Sequence, residues 1–171
     1  MQLAISDANI LVDLVDVGLL EQATRLPIEL VVPDIVLNEV TRPAQIAVIE
    51  LLVSRGELTV LQANAEQIAM IADLSSELRA LSIPDCAVLI LGQMNRATIL
   101  TNDSHVRRYA LKVNLECHGT LWLLRRLAES GLASRGHVRA GLERLKVINP
   151  RLPRHELDIL LKQLQEPYSS G

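Results

Sequence analysis

The chain has 171 residues, enough to bury a full core and few enough that one compact domain is the first expectation. Apolar residues make up 49% of it, but with no Phe, one Trp and two Tyr the core must be Leu, Val, Ile and Ala, which argues against an aromatic platform for stacking single-stranded bases. The net charge of −3 is uneven: residues 1–124 carry 8 basic and 15 acidic side chains and residues 125–162 carry 9 and 4, so an acidic body adjoins a basic segment suited either to a polyanion or to a solvated helical face.

Residues 3–6, LAIS, form a short apolar run ending at Asp7, and ANILVDLVDVGLL then repeats apolar residues at helical spacing, which predicts strand then helix. IELVV (28–32) predicts a second strand, closed by Pro33; DIVLNEV follows as a helix with Asp34 at its N-cap. PAQIAVIELLVSRG predicts a helix with proline in its first turn and a stop at Gly56. LTVLQ (58–62) is a third strand, and ANAEQIAMIADLSSELRALS a long amphipathic helix. Ser82-Ile83-Pro84 turns into DCAVLILGQMN, a helix so apolar that it belongs in a central, buried position. ATILTN (97–102), DSHVRRYALKV and LECH (115–118) then read as strand, helix and strand.

Strands alternating with helices of this length predict an α/β fold with a parallel sheet of about four to five strands covered on both faces. After Gly119 only helices are expected: TLWLLRRLAESG, SRGHVRAGLERLKV and PRHELDILLKQL. The expected organisation is an α/β domain over 1–124, a helical extension packed on it over 125–166 and a flexible tail at 167–171. The N-terminus lacks a basic region before its apolar run and carries acids every few residues, so no signal peptide, membrane span or membrane partner is expected, and the protein is expected in the cytoplasm. Cys86 and Cys117 lie outside any C-x-x-C pattern and read as small apolar residues.

Asp7 and Asp103 each follow a strand directly, where an α/β sheet places its ligand. Asp85 opens the buried helix, and Glu39 lies in the helix after the second strand, so four carboxylates can converge on one edge of the sheet. Together they would repel one another unless protonated or neutralised, and hard oxygen donors suit Mg²⁺ or Mn²⁺. Singly, each acid is equally explained by helix capping, the helix dipole or solvation. Trp122, at helical spacing with Leu121, Leu124 and Arg125, reads as a core or subunit contact.

The order DANILVDL, VVPDIVLNEV, SIPDCAVLILG and TILTNDSHVRRYA resembles the four acidic motifs of the PIN-domain family over about residues 3–118. The continuation CHGTLWLLRRLAESG and LKVINPRLPRHELDILLKQL is similar to a bacterial and archaeal PIN subgroup with C-terminal helices. The resemblance implies a three-layer α/β/α fold and a ribonuclease that binds Mg²⁺ or Mn²⁺ through Asp7, Glu39, Asp85 and Asp103. Partners implied with it are an RNA substrate, a small antitoxin protein and a second copy in a homodimer. Asn9, Thr101 and Asn102 stand where the family often has polar residues that orient a ligand or water, or else serve turn chemistry. Many catalytic members carry a further acid after the fourth motif; here the segment is Ser104-His105-Val106-Arg107-Arg108, which weakens a two-metal assignment. Arg107, Arg108 and Lys112 either meet phosphates or lie on a solvated face. The alternative function is a catalytically weak nucleic-acid-binding or regulatory protein of the same fold.

Overall fold

The protein is described here by a computed structural model covering residues 2–165. Residue 166 of the expected extension and the expected tail at 167–171 lie outside the described residues. Strand β1 (Gln2–Ser6) passes through Asp7 into helix α1 (Ala8–Asp16), whose Ile10, Leu11 and Leu14 are buried. After α2 (Leu20–Ala23), strand β2 (Ile28–Pro33) ends on the proline.

Helix α3 (Asp34–Leu37) is shorter than its sequence suggests. Pro33 takes the N-cap position and Asp34 is the first helical residue, its carboxylate accepting from the Ile35 N–H at 2.8 Å. Glu39 therefore lies just past the helix, in a turn where the Glu39 N–H donates to the Val36 carbonyl at 3.1 Å. Pro43 disfavours helical geometry at Arg42, so α3 does not run on into α4 (Pro43–Ser54).

Gly56, at φ +69°, ends that helix in the left-handed region and leads to β3 (Thr59–Leu61). Asn64 and Gln67 cap α5 (Ala65–Glu77) reciprocally, and Ser82 and Asp85 do the same for α6 (Ile83–Asn95). Helix α6 is the buried helix the apolar run predicted, with Cys86 through Gly92 shielded from solvent. Gly92 lets it approach the sheet, since a Cβ there would stand 2.1 Å from Ile99 Cδ1.

Strand β4 (Thr98–Leu100), helix α7 (Ser104–Lys112) and strand β5 (Cys117–His118) complete the α/β part. Helices α8 (Thr120–Glu129), α9 (Arg135–Ile148) and α10 (Arg154–Gln165) follow, as expected after Gly119. The five strands are all parallel in the order β3-β2-β1-β4-β5. One set of helices packs around α1 (α2, α4 and α8) and another around α6 (α3, α5 and α7), flanking the sheet as parallel strands require. Helices α9 and α10 pack on α8, and one continuous core runs from Ala4 to Leu160.

This strand order has a consequence for function. The chain winds outward from β1 to β3 and then returns to the other side of β1 with β4, so the switch point lies between β1 and β4. Ligand crevices in open α/β sheets form outside the carboxyl ends of the strands at that point.

Candidate active site

Ser6 is in register with Leu100, which brings Asp7 and Thr101 side by side as the two strands end. Asp7 caps α1: its Oδ1 accepts from the Ile10 N–H at 2.9 Å, while its Oδ2 accepts from the Thr101 hydroxyl at 2.5 Å. The same Thr101 oxygen accepts from the Asp103 N–H at 3.0 Å. One buried hydroxyl thus joins the carboxylate after β1 to the loop after β4.

Asp7 is 5% exposed, and burial pushes its carboxyl up to about 7. The bonds from Thr101 and Ile10 oppose that rise; the charges of Asp85 and Asp13 add to it. Glu39 is also raised, first by partial burial and then by Asp85. Asp85 therefore lies within electrostatic reach of both Asp7 and Glu39, and the Asp103 backbone is tied to Asp7 through Thr101.

The side chains are not gathered into a ready-made coordination shell. Asp85 Oδ2 is turned back onto Ser82, accepting from its N–H and its hydroxyl at 2.8 Å each. Asp103 Oδ1 caps α7 through the N–H groups of His105 and Val106 at 2.8 and 3.0 Å. Among the described residues no three His, Cys, Asp or Glu side chains stand close enough to hold a metal ion. The donor chemistry nevertheless fits a hard divalent cation, because every member is a carboxylate and Asp7 is a buried acid short of compensating charge.

Asn9 is exposed on the first turn of α1 and lines a cleft of about 750 Å³ together with Asp103 and Asn102. Asn102 is a structural bridge. Its Nδ2 donates to Thr120 Oγ1 at 2.8 Å and Asp13 Oδ2 at 3.1 Å, and its Oδ1 accepts from the Thr120 N–H at 3.1 Å. Gly119 makes room for that side chain, since a Cβ there would lie 2.6 Å from Asn102 Oδ1. Arg107 donates to the Thr101 carbonyl at 3.2 Å and lines a second cleft, whereas Arg108 is exposed and lines neither.

Asp13 went unrecognised in the sequence. It is 5% exposed, and its carboxylate accepts from Thr120 Oγ1 at 2.7 Å and from Asn149 Nδ2 at 2.9 Å, besides Asn102. Burial raises its carboxyl above the usual range against these bonds. The available signal was an acid between Leu11 and Leu14 on the buried stripe of α1; nothing around Asn149 marks it as the partner.

The class is that of parallel α/β sheets, and here a buried Asp7 and a half-buried Asp103 stand at the switch point, where folds of this class bind ligands. A model of the PIN domain family matches residues 3–166, and the chain belongs to that family. Solved structures similar to it include a toxin-antitoxin complex from Klebsiella pneumoniae, 23% identical over 59% of this chain and 87% of that one, with a TM-score of 0.47. Another is VapBC2 from Rickettsia felis bound to a DNA fragment from its promoter, 17% identical over 69% of this chain and 98% of that one, with a TM-score of 0.50. The latter likeness is one of fold. No curated protein matches the chain.

Proposed function

We propose that this protein is a metal-dependent endoribonuclease whose metal ligands are Asp7, Glu39, Asp85 and Asp103. The observation that carries the reading is Asp7 at the β1–β4 switch point, bonded to Thr101, its carboxyl raised by burial and further by the charge of Asp85. An anionic carboxylate there lacks a countercharge, and Mg²⁺ or Mn²⁺ would supply it. When bound, such an ion lowers the pKa of a coordinated water and stabilises charge on the phosphate. Thr101 fixes the orientation of Asp7, and the cap bonds to Asp103 hold the loop after β4 at the same edge. Asn9 faces this cleft as a candidate to orient a water or phosphate oxygen.

Membership in the PIN family supports the nuclease reading. The fold shared with VapBC2 supports a place in a toxin-antitoxin pair, in which a small antitoxin protein would cover the site. Among the described residues no helix is long and apolar enough to cross a membrane, and the proposed substrate is RNA in the cytoplasm. One observation favours the second reading, a nucleic-acid-binding protein with little turnover: Asp85 is held by Ser82, away from a common centre.

Cleavage of a panel of labelled single-stranded RNAs with Mn²⁺, Mg²⁺ or chelator, by wild type and Asp7→Asn, separates the two. Turnover by metal-loaded wild type alone is the expected result. Equal cleavage by both proteins removes Asp7 from the mechanism, and no cleavage by either leaves the binding reading. Co-purification with the product of a small neighbouring gene tests the antitoxin partner.

A further inference from the structure

Beside the acidic site, α7, α8 and the turn between α9 and α10 enclose a cleft of about 410 Å³. Arg107, Arg125 and Arg151 line it with one carboxylate, Glu156. Among the described residues none of these three arginines has an acid within 4.0 Å, whereas Arg25, Arg42, Arg55, Arg139 and Lys146 are each paired. Positive charge left uncompensated in a concave place focuses the field on an anion, and the guanidinium fork matches phosphate oxygens.

The rings of His118 and Trp122, stacked 4.2 Å apart and 5° from parallel, line the same cleft. Trp122 is half-buried and packs against the core, as its spacing predicts, and it also lines this cleft. Asn102 and Arg151 line this cleft and also the neighbouring one that holds Asp103 and Asn9. The two clefts therefore adjoin: the one at the strand ends is lined by three carboxylates and three arginines, whereas the one where the C-terminal helices meet α7 and α8 has three arginines and a single carboxylate.

We propose that the arginine cleft is a phosphate subsite, holding the single-stranded RNA that flanks the acids through Arg107, Arg125 and Arg151. The choice of RNA over an acidic peptide rests on the ribonuclease reading, since Asn102 and Arg151 line both clefts and a strand engaged at Asp103 has this cleft directly beside it. The helices after Gly119 then contribute directly to substrate binding, with Arg125 from α8 and Arg151 from the turn before α10.

The test is fluorescence anisotropy of a labelled short single-stranded RNA over a salt series, with chelator present so that cleavage does not intervene. Wild type is compared with Arg125→Gln/Arg151→Gln, two exposed side chains whose loss leaves the core intact. Arg25→Gln/Arg55→Gln, which removes the same two charges near the first residues of β2 and β3 at the opposite end of the sheet, is the charge-matched control. Counterion release gives a slope of about 0.7 per phosphate contact, so the double variant should lose about 1.4 from the slope of log affinity against log salt. At about 0.1 M salt the same relation corresponds to roughly 25-fold weaker binding. The subsite is overturned if the double variant keeps the control's slope, or if wild type fails to bind RNA at low salt. It is also overturned if polyglutamate binding falls in the double variant while RNA binding does not. A wild type that binds in this way but never cuts refutes the ribonuclease reading and leaves the subsite standing. A wild type that cuts, beside a double variant with an unchanged slope, refutes the subsite alone.

Discussion

Replacing Asp7 by Asn should stabilise the metal-free protein at alkaline pH while removing a proposed metal ligand. Burial raises the Asp7 carboxyl from 3.8 to about 7. At about 1.4 kcal/mol per pH unit, the folded chain disfavours the ionised form by about 4 kcal/mol. Because the folded value lies above the unfolded one, the folded chain binds more protons between them. Its stability is therefore greatest below the unfolded value and falls until the pH passes the folded one. Asn does not titrate and can still accept from the Ile10 N–H, but its amide cannot accept the Thr101 hydroxyl, a loss of about 1 kcal/mol. The variant should thus be about 3 kcal/mol more stable than wild type at about pH 8, and slightly less stable near pH 4. Urea unfolding followed by circular dichroism in the presence of chelator, at a series of pH values, measures this directly. Parallel stability profiles for the two proteins would refute the assignment of the burial penalty to Asp7. Adding Mn²⁺ at alkaline pH should stabilise wild type more than the variant, which keeps three of the four proposed carboxylate ligands but has lost the buried one.

Gly92→Ala should cost about 1–3 kcal/mol by forcing α6 away from Ile99. The pair Gly92→Ala/Ile99→Val should recover part of that loss, since valine has no Cδ1; thermal melts of the single and double variants check the coupling. Asp13→Ala should lower stability by about 1–3 kcal/mol, because the Thr120 hydroxyl and the Asn102 and Asn149 amides lose a buried acceptor. The measurement is chemical unfolding, and a change below 0.5 kcal/mol, about that of an ordinary surface substitution, would refute the buried network.

Much of the fold was legible because local and global signals agree. Pro33 closes β2, Gly56 terminates the turn after α4, and the unbroken apolar run from Cys86 to Gly92 marks the helix with least access to water. Asp7 and Asp103 were readable for the same reason, as acids standing where an apolar run stops. Glu39 was assigned to a helix because DIVLNEV continues in helical spacing, but the turn leading to Pro43 is stronger than that pattern. Asp34 looked like a cap, yet the cap position falls on Pro33. Side-chain orientation was out of reach: no periodicity says that Asp85 folds back on Ser82. Nor does spacing reveal a long-range hydrogen bond such as Asn149 to Asp13.

That last bond links residues 136 positions apart and completes the surroundings of an acid near the start of the chain. At about 5–20 residues per second, a ribosome needs on the order of 7–30 s to go from one partner to the other. Throughout that interval the first helix can form, but Asp13 must stay hydrated or find a temporary acceptor. Thr120, its other main partner, also arrives late, and the strand that positions Thr101 beside Asp7 is made only after more than half of the chain. The acidic edge can therefore be assembled only once more than half of the chain has been made, and an interrupted chain ending before β4 would lack both Thr101 and Asp103.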